Sequence, residues 1–207
     1  MAVNLMQQLL IATTNKGKVQ ELRQFLSDLP VKLVSLADVG IVNDVEEDGE
    51  TYEENSQKKA LFYAEKSGLP AIADDGGLEI DALGGLPGIK SRRWVRDGSD
   101  EAIITHMRGI AKRLPKDNRN ARFVTVVSFA LPNGNVWSGK GTVDGIIAKR
   151  PLMKLLHGYP YRSFFFLPTI QKYYHESELP EEQMKKYNHR LQAIQKLMPV
   201  IVKHLRL

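Results

Sequence analysis

Cysteine is absent from this chain, so neither disulfides nor thiolate-bound metals can figure in its fold or its chemistry. No apolar run approaches the ~20 residues that a membrane-spanning helix needs. The first eight residues lack the basic region and long apolar core of a secretory signal, which makes a cytoplasmic protein the expectation. Internal repeats, low-complexity tracts and linker-like stretches are also missing. One domain over residues 1–207 is therefore expected, either a single large body or two lobes sharing a core. The Walker spacing G-x-x-x-x-G-K-[ST] does not occur, so any phosphate binding must use other means.

What is present is a globular composition, 43% hydrophobic, with a net charge of +5. That net charge hides an asymmetry. Residues 1–103 carry 11 Lys and Arg against 18 Asp and Glu, whereas residues 104–207 carry 18 against 6. Complementary halves can simply attract each other, and a pI near 9.3 is also the electrostatic footprint of a nucleic-acid surface. A third reading gives the acidic half a metal and the basic half phosphates.

Residues 73–89 organise the chain. An apolar run over 70–73 meets two adjacent carboxylates, Asp74 and Asp75, then Gly76 and Gly77, and a strand-like alternation resumes at Leu78. Neighbouring anions repel, so a divalent cation or a shared proton relieves the arrangement, and glycine lets backbone approach a substrate. A solvated turn explains the same four residues.

Before this stretch, residues 9–12 predict a strand, followed by a Thr13-Thr14-Asn15-Lys16-Gly17-Lys18 loop and a helix marked by Val19, Leu22, Phe25, Leu26 and Leu29. The loop suits an anion at a helix N-terminus, or ordinary capping. Residues 31–36 predict a second strand. An acidic turn over 44–50, which includes Glu47, feeds a helix capped by Thr51 with Glu54 reaching back, closed by Gly68. Beyond the central stretch, Ser99 caps a helix on which His106 lies off the apolar face and is expected to be exposed. Residues 122–131 and 136–148 predict a hairpin. A long irregular link over 149–162 follows, then a buried strand over 163–167. A last helix starts at Glu181, with a kink expected at Pro199. Alternating strands and helices followed by a hairpin predict an α/β architecture with a mixed, twisted sheet.

Taken together, these motifs resemble the Ham1-like family of inosine and xanthosine triphosphate pyrophosphatases over residues 9–197. Thr13, Asn15 and Lys18 match its T-x-N-x-x-K loop. Glu47, Gly49, Thr51, Tyr52, Glu54 and Asn55 match E-x-G-x-T-[FY]-x-E-N, with Ser56 in place of alanine and Lys59 at the usual lysine. Asp74, Asp75, Gly77 and Leu78 match A-D-D-S-G-L, the G-G-x-P-G-I-x-S run follows over 84–91, and His189-Arg190 match the S-H-R of the last helix. The resemblance implies an ITPase-like fold with two lobes flanking a long cleft, commonly a homodimer. It implies hydrolysis of a nucleoside triphosphate to monophosphate and pyrophosphate, with Mg2+, or Mn2+ in its place. It implies Asp75 as general base and metal partner, Glu47 and Asp74 beside it at the metal, and Thr13, Asn15, Lys18 and Lys59 on the phosphates.

Departures concentrate in the residues that the family turns to the base. Its serine after the aspartate pair is Gly76. Its G-F-G-Y-D-P loop becomes Gly158-Tyr159-Pro160-Tyr161-Arg162-Ser163, its lysine falls on Met184 with Lys185 adjacent, and its S-H-R serine is Asn188. Gly76, Tyr159, Tyr161, Arg162, His189 and Arg190 are the remaining substrate contacts implied. The function expected is removal of deaminated purine nucleotides (ITP, dITP, XTP), with neither a membrane nor a specific nucleic acid as partner. The competing reading is a nucleotide- or nucleic-acid-binding protein of the same fold without turnover. Asp75, Glu47 and Lys18 speak against it, since a binder needs no base.

Overall fold

The structure, a computed structural model, describes residues 6–42, 45–154, 156 and 158–207. Most of the first eight residues, Asp44 of the acidic turn, and Leu155 and His157 of the irregular link lie outside the described residues. Among the described residues no helix is long and apolar enough to cross a membrane.

In chain order the elements are β1 (Gln8–Ile11), α1 (Lys16–Phe25), β2 (Lys32–Ser35), α2 (Tyr52–Ser67), β3 (Ala71–Ile80), α3 (Asp100–Arg113), β4 (Asn120–Ala130), β5 (Val136–Ile147), β6 (Phe165–Leu167), β7 (Lys172–Tyr173), α4 (Glu181–Tyr187) and α5 (His189–Leu205). The strands form one sheet in the order β2-β1-β3-β4-β5-β6-β7. β1 runs parallel to β2 and β3, while β6 pairs antiparallel with β5 and β7. The sheet is therefore mixed, as the alternation followed by a hairpin predicts.

The chain packs as two compact units. The first comprises Met1–Asp75, Val126–Lys140 and Arg190–Leu207; the second comprises Gly76–Thr125 and Gly141–His189. In the first unit both faces of β1 are covered, and Leu9, Leu10 and Ile11 are fully buried, which is why this strand reads as an unbroken apolar run. Leu9 and Ile11 pack with Leu22 of α1, Ile72 of β3 and Ile194 of α5. Leu10 turns the other way, towards Tyr63 and Ala64 of α2 and Ala71 and Ala73 of β3. Alternate residues of β3 thus face α1 and α5 on one side and α2 on the other. The core of the second unit gathers Leu78 and Ile80, the α3 residues Ile103 and Met107, and a group of aromatics, Phe123, Phe164, Phe165 and Tyr174.

Four expectations need correction. β3 does not end at the carboxylates but runs through Asp74, Asp75, Gly76 and Gly77. A Cβ on Gly76 would strike the Val124 carbonyl and Thr125 Oγ1, and one on Gly77 the Gly88 carbonyl and Ser91 Oγ, so these glycines admit the protein's own backbone. The last helix breaks at Asn188, which is extended (φ −73°, ψ 108°), while Pro199 lies inside α5. Ile194, Leu197 and Ile201 form the buried face of α5. Thr51 caps α2 by accepting from the Glu54 N–H (3.1 Å), but Glu54 reaches back one residue further than expected, to the Glu50 N–H (2.7 Å). His106 is half-buried and meets the edge of Trp94 (centroids 4.7 Å apart). The short β7 gave no periodic signal in two residues.

In the second unit the Arg119 guanidinium donates to three carbonyls, Ile147 at 2.6 Å, Leu114 at 3.1 Å and Ala111 at 2.9 Å, tying the C-terminal end of α3 to β5. The expected outcome for Arg119→Ala is a loss of about 1–3 kcal/mol of unfolding free energy in urea. Arg119→Lys should recover less than half of it, because an ammonium cannot reproduce the planar fork. A loss under ~0.5 kcal/mol for the alanine variant would show that solvent replaces these bonds.

Candidate active site

The chemistry-bearing residues of the first unit meet on the two faces of β3. Thr13 and Asn15 shape the turn into α1: Thr13 Oγ1 accepts from the Asn15 N–H (3.3 Å), and Asn15 Oδ1 caps the helix by accepting from the Lys18 N–H (3.2 Å). Both side chains therefore act in capping and shaping the start of α1. From the first turn Lys18 Nζ reaches Asp74 Oδ2 at 3.1 Å.

Asp74 has no exposed surface. Its Oδ2 also accepts from Arg190 Nε (3.0 Å) and Nη2 (2.9 Å), and the remaining arm of Arg190 donates to Glu21. Burial alone would raise the pKa of Asp74, but the charges of Arg190 and Lys18 outweigh it and hold the carboxyl well below the usual range. Burial lowers the pKa of Lys18, a trend that Asp74 resists. Sequence alone did not single out Glu21; the signal is its spacing, three residues after Lys18 on one helix face.

Asp75 points to the opposite face, towards α2, and is 6% exposed. Asn55 Nδ2 donates to its Oδ2 (3.2 Å), and Asn55 Oδ1 accepts from the Gly49 N–H (2.8 Å), so one amide fixes both the carboxylate and the acidic turn. Lys59 Nζ lies 3.7 Å from Asp75 Oδ1 and bonds Glu47 as well. Burial pushes the pKa of Asp75 up, with Glu47 and Asp74 adding to it and Lys59 and Lys18 offsetting part. For Lys59 burial acts to lower the pKa, yet Asp75, Glu47 and Asp74 prevail and raise it.

Among the described residues no three acidic or histidine side chains converge as a preformed metal cage. Glu47 and Asp75 do converge on one cationic centre, the Lys59 ammonium. Two hard carboxylates fit an ion of the Mg2+ type, which takes one or two carboxylates and completes its shell with phosphate oxygens and water. Asp74 Oδ2 is occupied by Lys18 and Arg190, so its observed partners are cationic side chains.

The second unit holds the other expected contacts. The Arg162 guanidinium lies 3.9 Å from the ring centroid of Tyr159 and 4.9 Å from that of Tyr174. His189 Nδ1 is 3.2 Å from Tyr174 Oη, and its ring stacks on Phe123 (5.3 Å, 17°). Tyr161 donates its hydroxyl to the Ser91 carbonyl (2.5 Å), which makes it an anchor of its loop. Asp100 Oδ2 anchors the same loop by accepting from the Gly158 N–H (2.6 Å). Met184 packs against the core of this unit, and Lys185 is paired with Glu181 at 2.9 Å. Gly76 begins this unit and serves the strand contact described above.

Comparison with known proteins matches residues 9–200 to the Ham1 family. A dITP/XTP pyrophosphatase of Desulforamulus reducens is 37% identical over 194 residues, spanning 93% of this chain and 94% of the relative. One from Bacillus subtilis is 33% identical over 202 residues, spanning 95% and 98%. Among solved structures, a HAM1 protein from Coxiella burnetii superposes with a TM-score of 0.81 at 31% identity, covering 96% of this chain and all of that one.

The two aspartates should respond oppositely to loss of charge. A carboxylate with a lowered pKa stabilises the fold above its unfolded value, and that stability is lost as pH falls through the folded value. Asp74→Asn leaves Arg190 and Lys18 short of a buried counter-charge and should cost about 3–5 kcal/mol at neutral pH. The raised pKa of Asp75 means that ionising it costs stability as pH rises from its unfolded to its folded value, so Asp75→Asn should be neutral or slightly stabilising above that window. Urea unfolding at neutral pH checks both, and equal destabilisation by the two variants would contradict the assignment.

Proposed function

Since the chain belongs to the Ham1 family, we propose that it hydrolyses deaminated purine nucleoside triphosphates, ITP, dITP and XTP, to monophosphate and pyrophosphate, and so removes them from the nucleotide pool. The observation that carries this reading is Asp75, a buried carboxylate with a raised pKa, held at one oxygen by Asn55 and facing Lys59 with the other. A general base works best when its pKa is moved towards the working pH, and burial does that here.

In this reading Lys18, Lys59 and the N-terminus of α1, shaped by Thr13 and Asn15, bind the triphosphate and offset its charge. Water attacks the α-phosphorus. Its proton passes to Asp75, the bond from that phosphorus to the bridging oxygen breaks, and pyrophosphate leaves with the bond's electron pair. Mg2+ or Mn2+, held by Glu47 and Asp75, would supply Lewis-acid neutralisation of the phosphate oxygens. Asp74 acts through Lys18 and Arg190, keeping the first protonated and the second in place. Tyr159, Arg162 and His189 are the base contacts, and Tyr161 holds their loop. The assembly expected with this function is a homodimer.

The test is a screen of nucleoside triphosphates for pyrophosphate release. ITP, dITP and XTP should be turned over with Mg2+ or Mn2+ and not in excess EDTA, and Asp75→Asn should lower kcat by at least ~10²-fold with the fold retained. No pyrophosphate from any nucleotide, together with salt-sensitive binding to DNA or RNA, would replace the enzyme by a binding protein.

A further inference from the structure

Arg162 is a charged side chain buried to 4% exposure and layered against two tyrosine rings. A guanidinium cannot shed its proton in a protein, so the loop carrying Tyr159 holds a permanent positive charge. Aromatic faces and guanidinium planes are also the surfaces on which proteins stack nucleobases, reading their edges by hydrogen bonds.

The neighbourhood adds donor character. His175 is 3% exposed, and its Nδ1 accepts from the Ser177 N–H (3.1 Å), which places the proton of the neutral ring on Nε2. Burial lowers its pKa, Glu176 opposes that, and the charge of Arg162 adds to it. Its Nε2–H is buried with no hydrogen-bond partner among the described residues. On α4, Met184 offers no polar group at all. The buried guanidinium of Arg162 and the Nε2–H of His175, with Glu176 and Glu178 nearby, favour a base rich in acceptors, and above all one that carries negative charge. Of the deaminated purines, hypoxanthine has one oxo group and is neutral, whereas xanthine has two and ionises readily near neutral pH.

We infer that Arg162 is a specificity-determining residue that biases the site towards xanthine nucleotides over inosine nucleotides. This rests on the nucleotide-hydrolysing reading and on Tyr159 and Arg162 as base contacts. The unexpected arginine in the loop is then a change of preference within deaminated purines rather than a loss of recognition.

The experiment compares kcat/KM for XTP and ITP in the full-length wild type, Arg162→Lys and Arg162→Gln, with melting temperatures to confirm folding. The wild type should favour XTP by ~10-fold or more, a ratio well within what one charge pair supplies. Arg162→Lys should keep that preference within ~3-fold, while Arg162→Gln should bring the ratio close to one, mainly through XTP. A purely structural arginine would lower both substrates together and leave the ratio unmoved, which would overturn the inference, as would a wild type that favours ITP. Calorimetric binding of XMP and IMP to the wild type reads the same preference without turnover or a variant. If neither triphosphate is hydrolysed, the proposed function fails, but tighter binding of XMP than IMP would still uphold the role of Arg162, and equal binding would end it.

Discussion

A carboxylate sealed from solvent stays ionised only if cations come to it, and Asp74 draws in two, Lys18 from α1 and Arg190 from α5. That requirement brings elements from the start and the end of the chain to one strand in its middle. Glu21 completes the arrangement by pairing with Nη1 of Arg190. With Glu21, the group holds two cations and two anions, and the charges of Arg190 and Lys18 hold the pKa of Asp74 down. Removing any one member leaves a buried charge uncompensated, so the network specifies how α1, β3 and α5 pack as much as it stabilises them.

The strand period then does the rest. Because successive side chains alternate, the residue after a neutralised aspartate must face the other side, where α2 presents Asn55 and Lys59. Here burial is not fully compensated, and the carboxyl rises instead of falling. Two identical residues side by side thus acquire opposite acid-base character from their neighbours alone, one locked as a counter-ion and one poised to accept a proton. The acidic turn with Glu47 adds to that poise by sharing the Lys59 ammonium with Asp75.

Much of this was legible in the sequence. The strand-loop-helix start, the Thr51 and Ser99 caps, Gly68 at the end of α2 and the hairpin are local signals, and each is found where the residues indicate. The motif order also selected the residues that meet on β3. What the sequence hid were long-range facts. Nothing in Asp-Asp-Gly-Gly says that β4 passes close to Gly76, so a strand interior looked like a turn. The break at Asn188 was masked by continuous helical periodicity. Glu21 and Asp100 drew no notice in the sequence, because their partners, Arg190 and the Gly158 N–H, are distant in sequence. Tyr161, a substrate contact by resemblance, gives its hydroxyl to the Ser91 carbonyl, a partner 70 residues away that its sequence context does not reveal.

The division of labour between the two aspartates is the centre of this account, and carbon NMR of the labelled aspartate carboxyl groups, followed through an acid titration of the folded protein, tests it most directly. With assignments made from Asp74→Asn and Asp75→Asn, the Asp75 resonance should titrate above the ordinary value of 3.8, and the Asp74 resonance should stay at its ionised shift until well below it. Asp75 ionised throughout while Asp74 takes up a proton at or above 3.8 would contradict the assignment of base and counter-ion.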